Sequence, residues 1–413
     1  MTVSKFRELD ATVRLLCLNQ FGINAGFFML MPFLAAYLSG GIGLVAGLVG
    51  LLLGVRNFSQ QGLFFAGGAL ADRFGYKPMI LAGCALRTVG FGVLGFTDSL
   101  PGLVLGMVAT GAAGALFNPA VRAYIAAQAG DKRVEAFAVF NVFYQAGILA
   151  GPLIGLALSG VDFSVTCFTA AAIFAALTLA QARLLPKRHG ENSDRPSMVD
   201  SWRTVARNRG FLLFSVVMAA TYVLNFQTYL ALPLLLNQHT TPAAASLTTT
   251  VVFAIAGILT ITAQVRVTAW CKNRWGPSGS LCLGVIVMGA AFLPVAAVLA
   301  WRPDAGVVIA AVVVCGTILA TGTMITYPFE MDTIVTLARE QHVASHYGVF
   351  QTVAGIAVAA GNLAVGAGLD ATGVGPWSTL PWAGLALAGF GCALGLRAIA
   401  IRGATSVAQP VNA

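Results

Sequence analysis

Two stretches of this chain, Leu15 to Val55 and Phe211 to Val265, contain no Asp, Glu, Lys or Arg. A helix crossing ~30 Å of hydrocarbon needs about 20 apolar residues. Each stretch therefore holds two crossings, broken where polar and turn residues collect at SGGIG (39–43) and NQHTTP (237–242). Only 9% of the residues are charged, against about 25% in soluble domains. The pattern predicts an all-α integral membrane protein with twelve spans, near 15–37, 45–70, 78–97, 101–127, 134–158, 163–185, 210–234, 246–270, 278–300, 306–334, 344–367 and 378–401.

Cytoplasmic loops retain Lys and Arg. With the N-terminus inside, nearly all of the 24 basic residues fall at cytoplasmic ends or loops; Arg56 and Arg87 lie mid-span, and Arg302 lies outside. The net charge of +9 is thus a topology signal and not a mark of nucleic-acid binding. Both termini are expected in the cytoplasm. Lys187, Arg188, Arg195, Arg203, Arg207 and Arg209 mark a cytoplasmic linker at 186–209, a solvated loop able to touch anionic membrane lipid, between six-helix bundles at 1–185 and 210–413. The seven cysteines are scattered without a CxxC pair and read as small hydrophobes, so no metal site and no cofactor is expected. The first apolar run is too long for a cleaved signal peptide and is expected to stay in the protein.

Shifting the chain by about 200 to 210 residues superposes several landmarks, as in transporters built from repeated halves. DRFG at 72–75 falls on NRWG at 273–276. ALFNPAVRA at 115–123 falls on MITYPFEMD at 324–332, and FNVFYQAGILAGP at 140–152 on FQTVAGIAVAAGN at 350–362. Two such bundles face a shared cavity, and rocking about it gives alternating access. A membrane enzyme or a receptor has no need of this duplication.

Between spans 2 and 3 the chain reads GGALADRFGYKP at 67–78. Gly68 and Gly75 permit close approach and a tight reversal, and Asp72, Arg73 and Lys77 hold helix ends, Asp72 being suited to the positive end of a neighbouring helix. In span 5, Gly147, Gly151 and Gly155 recur every fourth residue as a flat packing stripe, with Pro152 bending the rod. These strings resemble the turn signature of the major facilitator superfamily and the GxxxGPxxG motif of its exporters. The resemblance runs along the whole chain and is nearest to the twelve-span drug:proton antiporter branch, the bacterial multidrug-resistance exporters. It implies a monomeric secondary transporter of the bacterial plasma membrane, with the turn signature acting as a latch in the outward-facing state. The chain departs from that branch at Met107, where many members carry arginine, and at Asn19 and Asn24 in span 1, where such exporters often place a carboxylate.

Charged side chains at membrane depth are costly and by default functional. Arg56 and Arg87 have no carboxylate at their depth in the first half. Two accounts are open: an amide network with Gln60, Asn118, Asn141 and Gln145, or a cavity that attracts an anionic substrate group. Glu330 and Asp332 are the acidic residues within a span of the second half, and are candidates for proton coupling. Two positions apart, they point to different faces. The alternative for them is a salt bridge to Arg122. Tyr144, Tyr222, Asn225, Tyr229 and Tyr327 add an aromatic and amide lining suited to bulky, partly apolar substrates, with Tyr222, Asn225 and Tyr229 on one helical face.

No GxxxxGK[ST] string is present, so the energy source is not ATP. The leading expectation is a multidrug exporter exchanging small amphipathic molecules for protons. A dedicated exporter of an endogenous anionic metabolite such as a siderophore, and from another class a non-transporting membrane sensor, are the competing readings.

Overall fold

The computed structural model describes residues 2–31, 34, 37–158, 163–186, 197–301, 304–373 and 377–407. Lys187, Arg188, Arg195 and Arg302, read above as topology signals, lie outside them. The described residues are almost wholly helical, as they must be in lipid, where a backbone N–H or C=O without an internal partner costs several kcal/mol. Eight helical stretches among them are long and apolar enough to cross a membrane. Two of these, Leu100–Gly155 and Pro242–Leu299, run to 56 and 58 residues, enough for two crossings each at about 20 residues per crossing.

The chain divides into two compact units. The first comprises Met1–Asn208 together with Met331–Thr352. Its helices are α1 (Thr2–Glu8), α2 (Ala11–Phe28), α3 (Ala46–Phe74), α4 (Tyr76–Phe96), α5 (Leu100–Ala129), α6 (Arg133–Leu158), α7 (Phe163–Leu184) and α8 (Met198–Arg207). Helix α5 packs against α3 and α4, α2 against α6, and α4 against α7. Helix α2 starts earlier than its apolar run because Asp10 caps it, its Oδ1 accepting from the Thr12 N–H at 2.8 Å.

Part of the expected linker loop is helical, which corrects the sequence reading. Ser197 caps α8 by accepting from the Asp200 N–H at 3.1 Å. The helix then turns Ser201 and Val205 inward. Trp202 donates to the Phe65 carbonyl at 3.3 Å, Ser201 Oγ lies 3.1 Å from His342 Nδ1, and Asn208 donates to the Leu337 carbonyl at 2.8 Å. The linker is therefore docked along part of its length.

The second unit comprises Arg209–Glu330 and Val353–Ala413. It contains α9 (Arg209–Phe226), α10 (Ala231–His239), α11 (Pro242–Ala290), α12 (Leu293–Leu299), most of α13 (Ala305–Ala338), most of α14 (Val343–Thr372) and α15 (Leu380–Val407). Phe292 and Trp382 anchor its core, with ring centroids 6.4 Å apart. Helix α9 stops at Phe226, short of the expected span end. Pro233 explains the break, since its ring would clash with the Tyr229 carbonyl in a continuous helix and it has no N–H to offer it.

The repeated turn is visible in the backbone. Gly75 has φ 92° and ψ 157°, ending α3 and starting α4. Gly276, its counterpart in the alignment of the halves, has φ 66° and ψ 178° and kinks α11 between two helical rods. Both conformations belong to the region that is essentially reserved for glycine, costing other residues of order 1–3 kcal/mol. Replacing Gly276 by Ala should therefore lower the apparent thermal stability of the purified protein by on the order of 1–3 kcal/mol. Thermal denaturation in detergent checks this, with exposed Gly384, whose Cβ would meet open space, as the control substitution.

Docking of α8 should also depend on pH. Burial lowers the His342 imidazole below its ordinary 6.5, with Asp200 pulling the other way. Released from its site, the ring takes a proton more readily than when docked, so docking is strongest above that value and weakens as pH falls below it. The protection of the α8 amides from hydrogen exchange, taken relative to the intrinsic rate at each pH, should fall between about pH 7.5 and about 5.5, and this fall should flatten in His342→Gln.

Candidate functional site

The first unit gathers two guanidinium groups around one aromatic ring. Arg56 on α3 and Arg87 on α4 place their Cζ atoms 4.6 and 5.0 Å from the centroid of Phe27 on α2. Arg87, only 6% exposed, also lies 5.4 Å from Phe174 on α7. Arg56 donates to the Asn57 side-chain oxygen at 2.7 Å and to Gln60 Oε1 at 2.5 Å. Arg56 thus has amide partners, while Arg87 lies against the rings of Phe27 and Phe174. Asn118 instead donates to the Gly114 carbonyl of its own helix at 2.7 Å. Asn19, Arg122 and Asn141 are buried, and Gln145 is half-buried. The half-buried Tyr144 ring lies 6.4 Å from that of Phe140, tilted by 40°, while its carbonyl accepts from Asn24 at 2.8 Å.

In the second unit, Glu330 on α13 is 3% exposed and its Oε1 accepts from the Tyr222 hydroxyl of α9 at 2.8 Å. One turn deeper along α9, Asn225 Oδ1 accepts from Thr323 at 3.4 Å. Tyr229 does not continue this face, because α9 has already ended. It is 58% exposed and packs on Phe226 and Phe253 at 5.6 and 4.9 Å. Tyr327, half-buried, lies one turn before Glu330 on α13.

Asp332 points elsewhere. Its Oδ1 accepts from Arg133 Nε at 2.9 Å, and the same guanidinium holds Glu340 at 2.6 Å. Sequence reasoning weighed Arg122 as the partner and passed over Arg133, which lies in the loop-proximal turn of α6, where a basic residue reads only as a topology signal.

The signature after α3 makes a second, denser cluster in the first unit. Asp72, buried, accepts from the Ala344 N–H at 3.1 Å, the Ser345 N–H at 2.8 Å and the Ser345 hydroxyl at 2.6 Å. It thereby closes the N-terminus of α14, whose first N–H groups have no partner within the helix. Close approach is possible because position 68 has no side chain: a Cβ there would run into the Ala344 carbonyl. Lys77 works at the opposite pole, donating to the Ala182 and Leu185 carbonyls at the end of α7. Arg73 is exposed and lies 5.3 Å from the Phe74 ring.

Along α6 the small-residue stripe meets α2. A Cβ on Gly147 would lie 2.7 Å from Asn24 Cβ, and one on Gly151 2.7 Å from Phe28 Cβ. Gly155 is buried further along, and Pro152 is accommodated within the helix.

A family model described as Major Facilitator Superfamily matches residues 16–362. The chain belongs to the major facilitator superfamily. It is 46% identical over 394 residues to an uncharacterized MFS-type transporter of Mycobacterium tuberculosis strain H37Rv, covering 95% of this chain and 94% of that one. It is 32% identical over 272 residues to the multidrug resistance protein MdtH of Salmonella typhi, covering 65% of this chain and 66% of that one. In fold it matches the fucose:proton symporter FucP of E. coli with TM-score 0.75 at 16% identity, covering 94% and 98% of the two chains. The human organic anion transporter MFSD10 matches with TM-score 0.68, also at 16% identity, over 92% and 98%. This is accordingly a multi-pass membrane transporter with the major facilitator fold, and not an enzyme.

Replacing Asp72 by Ala would leave two backbone N–H groups and one hydroxyl without their acceptor in a buried place. An unsatisfied buried group costs about 1–3 kcal/mol. Thermal denaturation should therefore show Asp72→Ala as strongly destabilising and Ser345→Ala, which deletes only one of the donors, as the milder change.

Proposed function

We propose that this major facilitator protein is a proton-driven exporter of small amphipathic molecules, a multidrug antiporter of the bacterial plasma membrane. It works as a monomer with both termini in the cytoplasm. The observation that carries the coupling is the buried Glu330 carboxylate held by Tyr222 at 2.8 Å on α13, two residues after Pro328. A charged carboxylate at membrane depth is costly, and protonation removes that cost. Tyr222 donates a hydrogen bond to this carboxylate from the facing helix α9. Asp332 is a poor second candidate because Arg133 already neutralises it.

Transport follows by alternating access between the halves 1–185 and 210–413, tethered by 186–209. The latch in this scheme is the group of contacts that tie Met331–Thr352 into the first unit: Asp72 at the start of α14, and Arg133 between Asp332 and Glu340. Their release marks the change of state. The direction of transport rests on the Gly147, Gly151, Pro152 stripe, a mark of exporters in this superfamily, and on the similarity to MdtH.

The test is substrate-induced proton movement in vesicles of purified protein under an imposed pH gradient. Glu330→Gln should reduce gradient-driven flux to background, while Asp332→Asn should alter its rate and keep its dependence on the gradient. Full proton-driven flux in Glu330→Gln would remove Glu330 from the mechanism.

A further inference from the structure

The two arginines of the first unit sit in an arrangement that the protein itself does not neutralise. Both guanidiniums lie within 5.0 Å of the Phe27 centroid, so the charge that each faces most closely is of its own sign. Neither takes part in an ion pair among the described residues. Arg56 has two amide oxygens, from Asn57 and Gln60. Arg87 has no hydrogen bond to any described residue, and the Nε atoms of both are buried without a partner. A buried and a half-buried guanidinium of like charge, each with a vacant Nε, are costly to hold together, and the cost falls when an anion binds to them.

Gly114 backs the point where Gln60 and Arg87 meet: a Cβ there would lie 3.0 Å from Gln60 Cδ and 3.2 Å from Arg87 Nη2, so the missing side chain lets the amide and the guanidinium pack closely against α5. Arg56 is half-buried while Arg87 is buried, so an arriving anion meets Arg56 first and Arg87 beyond it. Phe27 and Phe174 add apolar faces beside the guanidiniums. Arginine, planar and multiply donating, suits carboxylate, sulfonate or phosphate groups held through two parallel hydrogen bonds. Arg56 and Arg87 lie in the interior of α3 and α4 and not at their ends, which removes them from the plane of lipid headgroups and favours a dissolved solute.

We propose that Arg56 and Arg87, with the Phe27 ring that both approach, form the anion subsite of this transporter, and that its substrates are organic anions carrying an apolar, planar body. The inference rests on the exporter reading above for the direction of transport, and adds the charge and shape of what is carried. Arg87 makes the principal contact because its donors are vacant; Arg56 must turn one N–H away from Asn57 or Gln60 to share the load.

Binding to the purified full-length protein without any gradient tests this independently of proton coupling. The probes are 2-naphthalenesulfonate and 2-naphthyltrimethylammonium, which share an apolar body and carry opposite permanent charges. The wild type should bind the sulfonate at least about tenfold more tightly than the ammonium, since hydrogen bonds to charged groups are the strong ones. Arg87→Gln should erase that preference, Arg87→Lys should retain part of it, and Arg56→Gln should weaken sulfonate binding less. Should Arg87→Gln fail to fold, Arg56→Gln and Arg87→Lys still carry the comparison. Absence of saturable sulfonate binding to wild type, or sulfonate binding unchanged in all three variants, overturns the proposal. Adding phosphatidylglycerol to the detergent separates the two sources of anion: competition with the sulfonate would reassign the pair to a lipid headgroup and overturn the substrate assignment. Charge-selective, Arg87-dependent binding in a protein that shows no proton-driven flux would overturn the exporter reading and leave the anion subsite standing.

Discussion

Inside a membrane the backbone has no water to fall back on, and helices answer this everywhere except at their own ends. There the first N–H groups and last carbonyls remain unsatisfied, and the densest chemistry of the first unit is gathered at those places. Asp72 supplies acceptors to the start of α14, Lys77 supplies donors to the end of α7, and Asp10 and Ser197 cap α2 and α8. The segment Met331–Thr352 belongs to the first unit although the helices it is cut from belong mostly to the second. Its attachment is built from such end groups and from Arg133. Contacts of this type are individually modest and lost in small steps, which suits the latch proposed above.

The fold was legible because its causes are collective. Long charge-free runs, basic residues on one side and a repeated turn are each spread over many residues, and a local irregularity does not erase them. Even the turn was legible in detail: the alignment of DRFG with NRWG sets Gly75 against Gly276, and both have positive φ. Elsewhere a single residue overruled the pattern. Pro233 ended α9 early and took Tyr229 off the face it was expected to share with Tyr222 and Asn225. The α8 helix carried a readable cue, Ser197 followed three residues later by Asp200, but its basic residues drew it into the linker reading.

The candidate sites were legible as residue types and not as partnerships. Buried charges announce themselves in an apolar sequence, so Arg56, Arg87, Glu330 and Asp332 could be named. Their partners could not. Arg133 and Asp332 are separated by 199 positions, and nothing in a single chain couples them. Phe27 lies in a run that is apolar almost throughout, AGFFMLMPFLAAYL at 25–38, so no local signal marks it as the ring shared by two guanidiniums. Sequence depth also says that two charges are buried, while only geometry says whether amides, aromatic faces or a missing ligand surround them.

The sign of the substrate decides how the transporter is driven. A monovalent cation leaving while one proton enters moves no net charge, and only the pH gradient does work. A monovalent anion leaving while one proton enters moves two charges in the same electrical sense. Each is worth about 2.3 kcal/mol per 100 mV of membrane potential, so the inside-negative potential of a respiring cell adds to the pH gradient and does not stand apart from it. On the two assignments proposed above, a cationic subsite in the first unit and a protonatable carboxylate in the second are driven by the same potential: the arginines would attract what it pushes outward, and Glu330 would take up what it pulls inward.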